Sequence, residues 1–220
     1  IWLQDALQRT HPDALATIGA TTIKSYDSAV APTPTARQSA GGYYDVYNSS
    51  IAIGSEQGEL HHKMRLVIGV EAMPLFFNSF IDLGGMTGQL GRNDKATVFS
   101  RGGLTVGPAI CYEGLYGDYM GEFVRNGAQV IGVISNDGWW GDTWGYKYLY
   151  AYCRLRAIEH RRDIVRSANT GISGFINSRG DSIESLDWDK QGVITTTLRL
   201  NDHKTIYTRY GDYIGRLSLY

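Results

Sequence analysis

An almost unbroken apolar run, Gln129-Val-Ile-Gly-Val-Ile-Ser135, is the feature that most constrains the fold of this chain. A strand with apolar side chains at consecutive positions is typically buried on both of its faces. The segment Val98–Ile110, upstream of this run, supplies two more short strands. Between this segment and the apolar run, a helix is predicted over Tyr116–Asn126, because one of its faces carries Met120, Phe123 and Val124. The pattern therefore predicts a strand-helix-strand unit.

Further patterns add elements on both sides of this unit. Residues on either side of the turn Ser55–Gly58 predict an early hairpin, and a second helix is predicted over Tyr146–Arg162. That helix places on one stripe Tyr148, Tyr152, Leu155 and Ile158. The other predicted strands are Leu15–Thr22, Tyr43–Gly54, Glu59–Leu66, Asp163–Ala168, Ile172–Asn177 and Val193–Leu198. Strands and helices alternate too irregularly for a barrel, and the expected class is an α/β layered fold with a mixed sheet.

The size and charge of the chain exclude several classes of protein. Its 220 residues, 43% of them hydrophobic, can form one sizeable core and do not require two domains. A net charge of −1 provides no field that attracts nucleic acid or an anionic membrane surface. No apolar run approaches the ~20 residues of a membrane span. Both ends look cut, so we expect residues 1–220 to be a single domain of a longer polypeptide.

A cysteine follows directly after the apolar run Leu104–Ile110. Cys111 is followed two positions later by a carboxylate, Glu113. A thiol at the end of a buried strand can be held rigidly while it faces a cleft, which is the placement a nucleophile needs. Cysteine is also a common small core residue, and we interpret Cys153, within the predicted helix, in that way.

Two further blocks carry groups that could activate this thiol. Lys63 follows a pair of histidines at the end of the predicted hairpin, and Glu71 lies eight residues later. A carboxylate can take the thiol proton, and a lysine ammonium can stabilise both the thiolate and a tetrahedral oxyanion. Together the three blocks predict acyl transfer through a thioester. The five histidines lack the spacing of a metal site, and no metal is expected.

Several separate motifs, in this order along the chain, resemble the nitrilase superfamily. They are more closely similar to the periplasmic domain of the apolipoprotein N-acyltransferase family. The motifs are His62–Pro74, Cys111-Tyr-Glu113, Ser135-Asn-Asp-Gly-Trp-Trp-Gly141, Leu155–Arg162, Arg166–Ser173 and Arg209–Gly215. The resemblance implies a nitrilase-like four-layer α-β-β-α sandwich with mixed sheets, and an enzyme that uses no metal or cofactor.

The resemblance also implies roles for individual residues. It makes Cys111 the nucleophile, Lys63 the oxyanion stabiliser and Glu71 a further essential glutamate. The residues expected to support them are Tyr112, Glu113 and Asn136. Trp139 and Trp140 are expected to contact substrate at an acyl-chain entrance. Phe76 and Phe77 are expected to contact it as part of an apolar lid that dips into the bilayer. The superfamily's general-base glutamate is expected upstream of Ile1, because no glutamate precedes Glu56.

The reaction implied by the resemblance moves an acyl chain from a phospholipid onto Cys111. The acyl chain then passes to the α-amino group of the N-terminal diacylglyceryl-cysteine of a bacterial lipoprotein. The implied location is the periplasmic side of the inner membrane, with attachment through membrane helices outside this chain. Nucleic acid is not among the expected partners.

Other interpretations stay open at this point. A soluble nitrilase-type amidase or carbamoylase would use the same residues to hydrolyse a small carbon–nitrogen bond. A binding module without catalysis would keep the fold alone. Glu71 could instead pair with Arg65 or Arg92, and Glu113 could brace a loop by accepting hydrogen bonds. The paired tryptophans could simply cap the core.

Overall fold

The computed structural model describes residues 2–72 and 89–219 of the chain. The strands are β1 (Ala16–Tyr26), β2 (Arg37–Ser39), β3 (Gly42–Ile53), β4 (Leu60–His62), β5 (Phe99–Arg101), β6 (Leu104–Ile110), β7 (Val130–Ser135), β8 (Asp163–Ala168), β9 (Ser173–Ile176) and β10 (Ser182–Leu186). The α-helices are α1 (Trp2–Thr10), α2 (Gly117–Arg125), α3 (Trp144–His160), α4 (Ile206–Tyr210) and α5 (Tyr213–Leu217). Short 3₁₀ helices follow two strands, at Cys111–Leu115 after β6 and at Gly138–Trp140 beyond β7.

A small antiparallel sheet contains β1 to β4. Strand β3 is its centre and pairs with β1 along its length, from Ala16 opposite Ile53 to Tyr26 opposite Tyr43. The short strand β4 pairs with the other edge of β3, where His62 lies opposite Ser49. This confirms the predicted hairpin and places Lys63 directly after the last residue of β4.

A larger sheet has the strand order β10-β9-β8-β7-β6-β5. Its three central strands, β6, β7 and β8, run parallel, and the pairings outside them are antiparallel. Helices α2 and α3 form the crossovers between the parallel strands, as connections between parallel neighbours require. The predicted α/β class and the mixed sheet are therefore confirmed, and the apolar run that carries β7 lies at the centre.

The layers stack as helix, sheet and sheet. Helices α2 and α3 pack on one face of the large sheet, and β1 and β3 of the small sheet pack on the other. The two sheets approach closely at Gly19, where a Cβ atom would lie 2.9 Å from Cγ2 of Ile134. The helix-side core contains Ala109, Met120, Phe123, Val124, Ile131, Val133, Cys153, Ala157 and Ile164.

Two predicted strands differ from the structure. The return strand predicted over Glu59–Leu66 ends at His62. Beyond Lys63, the backbone N–H groups of Met64 and Arg65 donate to the carboxylate of Glu113 and not to a neighbouring strand. The strand predicted over Val193–Leu198 is wrong: this segment alternates in exposure but pairs with no strand in the described structure. At its end the N–H of Arg199 donates to the carboxylate of Asp163 instead of a ladder carbonyl.

Helix α3 confirms the predicted helix. The predicted stripe lies on its exposed face, and the opposite face is buried. The stripe of Tyr148, Tyr152, Leu155 and Ile158 is 41–60% exposed. The opposite face carries Cys153, which is 1% exposed and belongs to the core, as predicted. Within the two described ranges, no helix combines the length and the apolar character needed to cross a bilayer.

A buried histidine joins three helices at the end of α3. His160 is 0% exposed; its Nε2–H donates to the carbonyl oxygen of Gly117 at 3.0 Å, and its Nδ1 lies 2.9 Å from Oγ1 of Thr208. The pKa of His160 is lowered to about 4, chiefly by burial; the Gly117 carbonyl opposes this effect, and nearby arginines add to it. The ring is therefore neutral in the folded protein near neutral pH.

Acidification should destabilise the protein through His160. The imidazole binds its proton at pH 6.5 when unfolded but only near pH 4 when folded, so its contribution is complete above pH 6.5 and is lost as the pH falls towards 4. The expected loss is about 3 kcal/mol of unfolding free energy across that window. Urea denaturation at several pH values measures it, and His160→Gln should flatten this part of the profile. An unchanged profile in the variant would contradict the assignment.

A matched pair of glycines tests the packing of α2 on the large sheet. A Cβ at Gly107 in β6 would lie 2.7 Å from Cβ of Phe123, whereas at Gly132 in β7 the nearest atom would be 3.4 Å away. We expect Gly107→Ala to lower the free energy of unfolding by about 1–3 kcal/mol through overpacking. Gly132→Ala should be neutral or slightly stabilising. Chemical denaturation of both variants measures the difference, and equal values would refute the close approach.

Candidate active site

The backbone turns sharply at Cys111, which follows the last residue of β6 and begins a 3₁₀ helix. Its φ angle is +50°, in the left-handed region that non-glycine residues rarely adopt. Adjacent residues of a regular strand face opposite sides of the sheet, yet Ile110 and Cys111 both line one cavity. The left-handed turn accounts for this, because it takes Cys111 out of the strand's alternation and directs it to the cavity side.

The carboxylate of Glu113 holds this turn in place. It is 0% exposed and accepts the N–H of Ile110 at 2.7 Å through Oε2. Its other oxygen, Oε1, accepts the N–H of Met64 at 2.7 Å. Glu113 therefore connects the peptide before Cys111 to the peptide after Lys63, which is the bracing arrangement considered above.

Two aromatic side chains, His61 and Tyr119, lie beside Glu113. The sequence did not predict that these three residues form a unit. His61 Nε2 lies 3.6 Å from Oε2 of Glu113 and 3.2 Å from the hydroxyl oxygen of Tyr119. Burial raises the pKa of Tyr119, and the neighbouring Glu113 raises it further, so the phenol stays protonated. The alternation of β4 is the one sequence signal that could have separated the core-facing His61 from its neighbour His62.

Lys63 is almost completely buried and ion-paired. It is 1% exposed, and its Nζ donates to both carboxylate oxygens of Glu71, at 3.0 and 2.7 Å. Glu71 also accepts the side-chain amide of Asn48 and the N–H of Val67, each at 2.8 Å. In the structure the cationic partner of Glu71 is therefore Lys63, and not Arg65 or Arg92.

One cavity of about 750 Å³ lies between the two sheets and contains all three residues of the predicted catalytic set. Cys111 lies at the carboxyl end of β6, and Lys63 and Glu71 come from the segment after β4. Other lining residues are Gly19, Ala20, Thr21, Tyr47, Asn48, Val70, Leu90, Ile110, Ile134, Ser135, Asn136, Trp139, Ser167, Ala168 and Asn169. The cavity thus combines a thiol, an ammonium and a carboxylate with walls of mixed polar and apolar residues.

The other predicted site residues are distributed around this cavity. Asn136 and Trp139 line it, and the Asn136 side chain accepts the N–H of Gly138 at 3.2 Å. Trp140 is 39% exposed and packs over Gly145 at the start of α3, outside the described lining. Tyr112 stacks edge-to-face on Tyr116, with ring centroids 5.5 Å apart. Phe76 and Phe77 lie outside the described residues.

The arrangement fits nucleophilic chemistry on a carbonyl carbon. A thiol nucleophile, a buried ammonium that can stabilise an oxyanion, and a carboxylate that orients the ammonium face one space. In the part of the chain that the structure describes, no group of three or more His, Cys, Asp and Glu side chains is placed to hold a metal ion.

Comparison with known proteins agrees with this fold. The model of the carbon-nitrogen hydrolase family matches residues 20–207, and the chain belongs to that family. Within it, the chain is 35% identical over 191 residues to the apolipoprotein N-acyltransferase of Chlorobaculum tepidum, covering 81% of this chain and 36% of the relative. The enzyme of the same name from Agrobacterium fabrum is 34% identical over 201 residues, covering 86% of this chain and 37% of that protein. The predicted resemblance to both families is confirmed.

The chain spans about a third of the length of these curated relatives. Among solved structures, an amidase from Nesterenkonia sp. matches with a TM-score of 0.58 and 13% identity, covering 100% of this chain and 71% of the amidase. At that identity the match shows the fold alone, and it confirms the nitrilase-like sandwich.

Replacing Glu113 by Gln should destabilise the protein. The amide of Gln has the same shape as the carboxylate, but one of its two oxygens is replaced by an NH₂ group. The backbone N–H of either Ile110 or Met64 therefore loses its acceptor. We expect a loss of about 1–3 kcal/mol in the free energy of unfolding. Glu184→Gln, at an exposed carboxylate on β10, is the control and should change little. Urea denaturation compares the two, and similar small changes would show that Glu113 does not brace the turn.

Proposed function

We propose that this chain is the catalytic domain of a lipoprotein N-acyltransferase. The observation that carries the proposal is the cavity in which Cys111, Lys63 and Glu71 meet. The names of the relatives add the reaction class, since they denote acyl transfer to an apolipoprotein. The donor is proposed to be a phospholipid, and the acceptor is the α-amino group of an N-terminal diacylglyceryl-cysteine on a bacterial lipoprotein.

In the first half-reaction Cys111 takes the acyl chain. Its sulfur bonds to the ester carbonyl carbon, and the bond from that carbon to the oxygen of the lysophospholipid breaks. The thiol proton passes through the general-base glutamate, which the family resemblance places upstream of Ile1, to the departing oxygen. Lys63 stabilises the oxyanion of the tetrahedral intermediate, and Glu71 holds its ammonium in position.

In the second half-reaction the acceptor amine takes the acyl chain from Cys111. Its nitrogen bonds to the thioester carbonyl carbon, the carbon–sulfur bond breaks, and the amine proton returns through the same base to the sulfur. Glu113 keeps the turn at Cys111 in register with Lys63 through both steps. The reaction therefore needs no redox change and leaves the enzyme in its starting form.

The proposed location of the substrates follows from their chemistry. Both are lipids anchored in a bilayer, so the cavity must open towards a membrane surface, and we place the domain on the periplasmic side of the inner membrane. Trp139 in the cavity lining and the partly exposed Trp140 are the proposed aromatic contacts of the entrance. Asn136 and Tyr112 are proposed to support the loops on either side of the nucleophile.

The acyl-enzyme intermediate is the test of this function. Intact mass spectrometry of the full-length protein after incubation with phospholipid, without acceptor, should show a mass gain of one acyl chain. The adduct should map to Cys111 and disappear with hydroxylamine. Cys111→Ala should abolish it, whereas Cys153→Ala, at the other buried thiol, should retain it.

A different outcome would point to the second class of enzyme. An absent lipid adduct, together with hydrolysis of small amides that depends on Cys111, would replace the transferase by an amidase or carbamoylase. Adduct formation that survives Cys111→Ala would refute Cys111 as the nucleophile.

A further inference from the structure

A buried histidine lies where the small sheet meets helix α2. His61 of β4 is 0% exposed, and its Nδ1 accepts the backbone N–H of Thr97, shortly before β5, at 3.4 Å. Its ring packs edge-to-face on Phe123 of α2, with ring centroids 5.3 Å apart. A fully buried polar side chain is stable only while its hydrogen bonds are made. The imidazole is therefore fixed by contacts from several elements of the fold.

The contact with Thr97 determines which nitrogen of His61 carries the proton. A ring nitrogen that accepts a backbone N–H cannot itself be protonated, so the hydrogen of the imidazole is on Nε2. Nε2 lies 3.2 Å from the hydroxyl oxygen of Tyr119 and 3.6 Å from Oε2 of Glu113. The Nε2–H group therefore donates to the Tyr119 hydroxyl, directly beside the carboxylate of Glu113.

Tyr119 is held in place on its aromatic ring as well as at its hydroxyl. The guanidinium of Arg65 lies 5.3 Å from the ring centroid, and Phe123 packs edge-to-face at 5.2 Å. The ring also borders a separate cavity of about 620 Å³ on the helix side, although Tyr119 is only 1% exposed. Because its hydroxyl oxygen accepts from His61, its own hydrogen is free to point to the Glu113 carboxylate.

A continuous set of contacts leads from His61 to the turn at Cys111. Oε2 of Glu113, 3.6 Å from His61, accepts the N–H of Ile110 at 2.7 Å, and the next residue is the cysteine. Oε1 accepts the N–H of Met64, the residue after the buried lysine, at 2.7 Å. The orientation of this one carboxylate therefore sets the positions of both backbone segments.

We propose that His61 and Tyr119 are positioning residues for the acyl transfer. They orient the carboxylate of Glu113, which in turn keeps the Cys111 turn in register with Lys63. Neither is among the described residues that line the cavity, so neither is expected to touch substrate. Their loss should slow the attack of the sulfur, which depends on the placement of thiol and ammonium, and leave phospholipid binding unchanged. The inference rests on the proposed function, in which Cys111 is the nucleophile.

The rate of acyl-adduct formation on Cys111 in the full-length protein tests the proposal. Single-turnover reactions with phosphatidylethanolamine in mixed micelles, at several concentrations, separate the maximal rate from the half-saturating concentration. Tyr119→Phe keeps the ring and removes the hydroxyl, and His61→Leu removes both ring nitrogens. Each should lower the maximal rate about threefold to tenfold, the effect of one hydrogen bond, and leave the half-saturating concentration unchanged.

Conservative variants separate positioning from a loss of stability. His61→Gln keeps one donor and one acceptor and should stay within about twofold of the wild-type maximal rate. Tyr150→Phe is the control and should change nothing, because it removes another buried hydroxyl, one bonded to Ser182. The proposal is overturned if Tyr119→Phe and His61→Leu keep the wild-type rate, or if His61→Gln is as slow as His61→Leu. A change confined to the half-saturating concentration also overturns it.

Amide hydrogen exchange shows whether the effect runs through Glu113, and it needs no lipid. In Tyr119→Phe the N–H groups of Ile110 and Met64 should exchange about threefold to tenfold faster, because their shared acceptor is less firmly held. The N–H of Val133, within β7, should exchange at the wild-type rate. Slower acylation without faster exchange at Ile110, or an equal increase at Val133, overturns the proposal.

These two measurements remain decisive if one variant or the proposed function fails. If His61→Leu does not fold, as judged by circular dichroism, Tyr119→Phe decides through its maximal rate and its exchange at Ile110. If the wild-type protein forms no acyl adduct, the proposed function fails. Exchange at Ile110 then decides alone whether the two residues hold the turn: a faster rate retains that role, and an unchanged rate refutes it.

Discussion

The geometry of the cavity depends most directly on one buried carboxylate, that of Glu113. It accepts one backbone N–H from Ile110, the last residue of β6, and one from the segment that follows Lys63. The large sheet carries the first and the small sheet leads into the second, so the two sheets share a single acceptor at the site. A buried carboxylate is tolerated only while its donors are in place. The position of the Cys111 thiol relative to the Lys63 ammonium therefore depends on the side chain of Glu113.

The other charges around the cavity are also held by several partners each. Glu71 joins Lys63, Asn48 and Val67, and Asp137 joins Arg166 and Ser135. Groups fixed in this way need little rearrangement when charge develops on a substrate, which is the condition for electrostatic stabilisation of a transition state. The charged groups of the cavity therefore lie in a framework whose dipoles are already oriented in the protein alone.

The elements with strong local patterns could be predicted from sequence, and those defined by distant partners could not. The apolar run of β7, the face of α2 and the order of the motifs around Cys111 indicated the class and the central sheet. They also indicated five of the residues that line the cavity, namely Cys111, Lys63, Glu71, Asn136 and Trp139. The contacts of Glu113 join residues almost fifty positions apart, and no local pattern encodes them. Val193–Leu198 failed for the same reason: its β-branched residues favour an extended chain, but whether a partner strand is adjacent depends on the whole fold.

The left-handed backbone at Cys111 has a consequence for how such a domain can change over time. A non-glycine residue in this region is strained by about 1–2 kcal/mol, and glycine is the residue that adopts it freely. Replacing Cys111 by glycine would therefore relieve strain while it removes the thiol. On backbone stability alone, glycine is therefore favoured over cysteine at this position.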